Sequence, residues 1–128
     1  GSTVAFHSGY AILQELTDGG YFGPEGRIER LHAYFVRRLS EIGARHPGCL
    51  KGPFGTGAMI AFSVFDGTES RTKEFVHNLF QAGVISFTSG RNPVRVRFLL
   101  PVGALNEADL DAAAEILENV LAEMKIQA

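Results

Sequence analysis

The stretch Asn92-Pro93-Val94-Arg95-Val96-Arg97-Phe98-Leu99-Leu100-Pro101 constrains the fold more than any other part of the sequence. It is an apolar, β-branched run that is bounded by prolines and holds two arginines, and it predicts a strand. Side chains alternate across a pleated strand, so Val94, Val96, Phe98 and Leu100 share one face and Arg95, Arg97 and Leu99 the other. The first face belongs to a core; the second carries two cations away from it. A guanidinium so placed must meet water, a protein carboxylate or a ligand carboxylate, because an unpaired buried charge is costly. From the residues alone, a half-exposed sheet with solvated arginines is favoured over a binding face, because isolated charges on a strand are common.

The remaining elements supply partners for that strand. Thr3 to Leu16 is small or apolar almost all round (Val4, Ala5, Phe6, Tyr10, Ala11, Ile12, Leu13, Leu16), which predicts a helix expecting cover on more than one side, ended by Gly19-Gly20. Gly23-Pro24-Glu25-Gly26 predicts a restart with Pro24 at the first helical position. Ile28, Leu31, Phe35, Val36, Leu39 and Ile42 then form the apolar face, with Arg30, Arg37, Arg38 and Glu41 toward solvent. After the glycine-rich stretch Leu50 to Gly57, the apolar run Ala58 to Phe65 reads as a central strand buried on both faces. Thr68 is the expected N-cap of a helix over 69–82, with Phe75, Val76, Leu79 and Phe80 as its stripe and Gly83 as its stop. Val84 to Thr88 is a short strand expected to form a hairpin with the arginine strand. Asn106-Glu107-Ala108-Asp109 resembles a capping box opening the last helix, whose stripe is Leu110, Ala113, Leu117, Val120, Leu121 and Met124. This order predicts an α+β fold, a small mostly antiparallel sheet with helices packed on one face.

At 128 residues and 45% hydrophobic content, the chain suits one domain with a real core. Twelve basic and fourteen acidic residues leave a formal charge of -2, and no basic run interleaved with aromatics points to nucleic acid. Cys49 has no second cysteine to pair with, and neither a bilayer-spanning apolar tract nor a signal-peptide pattern is present, so no membrane contact and a cytoplasmic location are expected. His7, His32, His46 and His77 are scattered without ligand spacing, which argues against a metal site. There is no Gly-x-Ser-x-Gly elbow, and Gly52 to Gly57 lacks the Lys-Ser/Thr of a phosphate loop. Gly55-Thr56-Gly57 reads instead as backbone freedom at a strand entry, and Tyr21-Phe22 as a plug packed over the core. The opening Gly1-Ser2, in place of an initiator methionine, is read as the mark of a fragment.

Taken in order, these segments resemble the C-terminal portion of class III aminotransferases, the pyridoxal-phosphate-dependent fold-type I family of acetylornithine, ornithine and 4-aminobutyrate aminotransferases. Gly1 to Leu13 resembles the family's Gly-Gly-Asn-Pro-Leu-Ala segment and the helix after it. Gly55-Thr56-Gly57-Ala58-Met59-Ile60 is similar to its Gly-x-Gly-Leu-Met strand entry, Val84-Ile85 to its Gly-Val-Leu strand, and Arg97-Phe98-Leu99-Leu100-Pro101 to its Arg-Leu/Phe-x-Pro-Pro stretch. Leu100 departs from that pattern at the second proline position, and Phe54 stands where an arginine is frequent.

The resemblance implies a division into residues 1–22, a helical segment leading in from a large domain, and residues 23–128, the small C-terminal domain. It implies that Arg97 binds the substrate carboxylate, for which a bidentate guanidinium is suited. The implied parent is a homodimeric transaminase that moves an amino group from an amino acid or ω-amino acid to a 2-oxo acid. The lysine that holds pyridoxal 5'-phosphate, and the rest of the cofactor site, belong to the large domain, so this chain is expected to be inactive alone and to hold no cofactor. The alternative is a free-standing α+β module that binds a carboxylate or a protein partner through the arginine face.

Overall fold

The structure, a computed structural model, describes residues 3–127 and, within them, all side chains but those of residues 3–6 and 16. The elements in order are α1 (Thr3–Asp18), α2 (Arg27–Arg45), β1 (Leu50–Phe54), β2 (Met59–Val64), α3 (Glu69–Gln81), β3 (Phe87–Ser89), β4 (Arg95–Leu99) and α4 (Glu107–Ile126). The four strands form one antiparallel sheet in the order β1-β2-β4-β3, the α+β plan that the element order predicts.

Alternation decides which side of the sheet is covered. Leu50 pairs with Val64, Ile60 with Phe98, and Phe62 with Val96. These six residues are buried, and they meet Leu31, Phe35, Leu39 and Ile42 of α2, Phe75 and Leu79 of α3, and Leu110, Ala114, Leu117, Val120, Leu121 and Met124 of α4. Phe98 is the hub, with the Phe35 ring edge-on at 5.5 Å and the Phe62 ring stacked at 6.0 Å; Phe62 in turn meets Phe75 at 6.2 Å. The helix ends follow local chemistry. Thr68 accepts the Arg71 N–H at the start of α3, and Asn106 and Asp109 exchange both bonds of a capping box at the start of α4.

Several expectations are corrected. α2 starts at Arg27, three residues after Pro24, because residues 20–26 cap it with backbone alone. Gly26 donates to Gly23, Arg27 to the Gly20 carbonyl at 2.8 Å and Ile28 to that of Tyr21 at 3.1 Å. Gly26 is needed there, since a Cβ would lie 2.4 Å from the Phe22 carbonyl oxygen. Leu50 to Phe54 is a strand in its own right, paired with β2 as a hairpin. β2 is not buried on both faces, because Met59 is exposed on the side without helices. β3 lies at Phe87–Ser89 rather than Val84 to Thr88, since the Val84 N–H is spent on the Leu79 carbonyl at 2.8 Å, closing α3 around Gly83. Ala114 replaces Ala113 in the α4 stripe, and Phe80 is 61% exposed because Thr72, Phe75 and Leu79 set the inward direction of α3. Phe22 is exposed and does not plug the core. On α1, Tyr10, Ile12 and Leu13 are exposed, while the expectations for Val4, Ala5, Phe6 and Leu16 lie outside the described side chains.

One ion cluster ties α2 to α4. Arg45 grips Glu118 through two bonds of 2.7 and 2.9 Å, and His46 Nε2 donates to the same carboxylate at 2.9 Å. The Arg45 bond, chiefly, and that of His46 hold the Glu118 carboxyl below its usual range against the opposing effect of burial. A carboxyl lowered on folding contributes stability above its unfolded pKa, about 4.3, and loses it as the pH falls through the folded value. Thermal melts over that acid range should therefore show a shallower loss of stability for Glu118→Gln than for wild type; parallel acid limbs would count against the cluster. In denaturant titrations at neutral pH, Phe62→Ala should cost about 3–5 kcal/mol, whereas Phe80→Ala should stay within about 0.5 kcal/mol.

Candidate functional site

The same alternation that fills the core leaves the opposite side of the sheet without a helix, and Arg97 stands in its middle. Ala61 and Phe87 pair with Arg97 from either side, and Phe54 pairs with Ala61, so one line across the four strands reads Phe54, Ala61, Arg97, Phe87. Toward one end, Met59 pairs with Leu99, both exposed; toward the other, Ser89 pairs with Arg95. Phe54 and Phe87, on the two edge strands, are 44% and 50% exposed.

The two arginines lean to opposite edges. The Arg97 guanidinium carbon lies 6.0 Å from the centre of the Phe87 ring on β3. That of Arg95 lies 4.3 Å from the centre of the Phe54 ring, across β2. The small side chain of Ala61 leaves the path over β2 open. Such contacts orient a guanidinium but use its ring-facing surface, leaving N–H groups at its rim. The Nε atoms of Arg95 and Arg97 are shielded from solvent and have no hydrogen-bond partner, and neither arginine is in an ion pair among the described residues. By contrast Arg27, Arg38, Arg45 and Arg71 are all engaged by protein acceptors. Cations fixed on an open face without an anion suit a ligand or partner carboxylate.

Other chemistry is dispersed. Lys51, Lys73 and Lys125 are all exposed, and Lys73 pairs with Glu69 at 2.6 Å, so none of these amines is desolvated as an activated lysine must be. Among the described residues no three metal-ligating side chains come together, and no helix is long and apolar enough to cross a membrane. His32 donates to the Gly57 carbonyl at 2.7 Å and His46 is spent on Glu118, so both act as braces. Sequence reasoning placed both arginines on the outer face but missed the two phenylalanine platforms. Phe54 and Phe87 join the site only through strand order, which sequence spacing does not display; an aromatic on each edge strand is the one signal, legible once the sheet is known.

No family model and no curated protein matches this chain. Solved structures do. Lysine aminotransferase from M. tuberculosis is 29% identical, with a TM-score of 0.74 over 87% of this chain and 24% of its own. A transaminase from directed evolution by ancestral reconstruction is 18% identical, with a TM-score of 0.74 over 91% of this chain and 26% of its own. Ornithine aminotransferase from Plasmodium yoelii is 16% identical, with a TM-score of 0.60 over 75% of this chain and 24% of its own. The chain thus spans about a quarter of the length of these proteins, and its four helices and open four-stranded sheet match the small domain of aminotransferase structures.

Proposed function

We propose that this chain is the C-terminal small domain of a pyridoxal-phosphate-dependent class III transaminase and that Arg97 binds the carboxylate of the amino-acid or 2-oxo-acid substrate. The observation that carries the reading is the Arg97 guanidinium itself, held on an uncovered sheet face with a shielded, unpartnered Nε and no ion pair among the described residues. The likeness to lysine aminotransferase supports the assignment to transaminases. On this reading residues 23–128 are the small domain, and residues 1–22 lead in from a large domain. That helix α1 carries exposed Tyr10, Ile12 and Leu13 agrees with a segment covered by the rest of a parent protein or by its dimer partner.

The division of labour follows from residue chemistry. Arg97 orients the substrate through its carboxylate, and covalent chemistry on the amino group is left to the rest of the parent. The exposed lysines of this chain do not fit the role of holding pyridoxal phosphate, because each amine is hydrated or ion-paired rather than set in a desolvated pocket.

In the full-length parent, Arg97→Ala should lower kcat/KM for a carboxylate-bearing amino donor by roughly tenfold to more than a hundredfold, the range for one lost charged hydrogen-bonding partner of about 1.5–3 kcal/mol. Arg97→Lys should lose less, since it keeps the charge while losing the fork. Thermal melts should hardly move, because the residue stands outside the core. Wild-type kinetics in Arg97→Ala would sink the assignment.

A second measurement concerns the chain alone. After incubation with pyridoxal phosphate and borohydride reduction, intact-mass analysis should show only sparse label spread over several amines. One lysine labelled stoichiometrically would overturn the proposed division.

A further inference from the structure

The open face around Arg97 is divided along the strands. On one side stands the cross-strand pair of Ser89 and Arg95, whose guanidinium is drawn away over Phe54 at 4.3 Å. On the other side stands the pair of Met59 and Leu99, neither with a hydrogen-bond donor in its side chain, 43% and 56% exposed. Across the sheet Arg97 pairs with Ala61 and Phe87, which add no donor either. Leu99 follows Arg97 by two residues, so it lies on the same face about 7 Å along the strand. The Arg97 guanidinium leans toward the Phe87 ring, whose centre is 6.0 Å from its carbon. The cation thus stands beside a corner formed by Phe87 and Leu99, with Met59 next to Leu99 on β2.

This corner bears on what an acid bound to Arg97 can carry. Arg97 is in no ion pair among the described residues, and the complement of one free guanidinium is one carboxylate. The atoms beyond that carboxylate meet Phe87 and Leu99, both open to water on a sheet side without helices. A hydrocarbon chain laid there takes apolar surface out of water on both partners. A second carboxylate laid there loses water and finds no donor in exchange, since Arg95 is held over the opposite edge.

We infer that the acid taken by Arg97 carries a hydrocarbon chain, which lies on Phe87 and Leu99 with Met59 at its margin, and that these side chains select such acids over dicarboxylic ones. The inference rests on the carboxylate role proposed for Arg97 and specifies its ligand as an amino or oxo acid with an aliphatic chain of several carbons. Selection by apolar contact is graded, each methylene adding a modest factor, so its signature is a dependence on chain length.

The test follows the Arg97 Nε–H resonance by NMR in the isotopically labelled 128-residue chain, with the exposed Arg91 as reference, titrated separately with propionate, hexanoate and adipate. Hexanoate should half-saturate the Arg97 shift at a concentration roughly eightfold below propionate, about twofold for each of its three further methylenes when each is half covered. Adipate, of the same length with a second carboxylate, should bind no tighter than propionate. Leu99→Ser should cut the hexanoate advantage to about threefold, whereas Phe80→Ser, an exposed apolar residue of the helix layer, should leave it at about eightfold. Equal midpoints for propionate and hexanoate, adipate binding tightest, or an undiminished advantage in Leu99→Ser would overturn the inference while leaving the carboxylate role of Arg97 in place. An Arg97 signal that no acid moves, or that moves only in step with Arg91, would overturn that role and this inference with it.

Discussion

Four phenylalanine rings in continuous contact set the direction of everything else on the sheet. Phe35 of α2 meets Phe98 of β4, Phe98 stacks on Phe62 of β2, and Phe62 meets Phe75 of α3. Because the side-chain period of a strand is two, a slip of β4 by one residue would turn Phe98 outward and drive Arg97 into the space between the helices. That exchange removes a buried aromatic and inserts an unpaired charge, two penalties of several kcal/mol acting together. The outward position of both arginines is thus inherited from the phenylalanines behind them.

A second aromatic pair acts on the other side of the sheet. Phe54 and Phe87 belong to the outermost strands and receive the two arginines of the central strand β4. A long flexible side chain loses rotamer freedom when it binds, and a guanidinium already resting on a ring has surrendered part of that freedom during folding. The open face therefore combines anion-seeking groups with the rigidity that would let them act without large ordering costs.

Much of this was legible in the residues. The alternation in Arg95 to Leu99, the helical stripes of α2 and α4, and the caps at Thr68 and Asn106 depend on neighbours within a few positions, and local patterns report them well. What was hidden depends on groups far apart in sequence or on competition for a single N–H. Val84 looks like a strand residue but closes α3 through Leu79. Pro24 looks like a helix start, yet the carbonyls of Gly20 and Tyr21 cap α2 from outside it. Phe80 fits the apolar stripe of α3 by spacing, but three better-placed side chains take the buried direction. The placing of Arg95 over Phe54 needed the order of four strands and the smallness of Ala61, none of which a linear pattern contains.

The edges of the sheet bear on how this molecule can meet others. β1 is an outer strand with Pro53, which has no N–H to offer, and its pairing register is irregular between Lys51 and Phe54. β3, the other outer strand, is three residues long. Neither border offers a run of backbone groups on which a foreign strand could template itself. A neighbour is thereby steered away from extending the sheet and toward lying flat against it, where recognition is made by side chains. A protein with an uncovered aromatic and cationic surface is in this way kept from polymerising through its backbone.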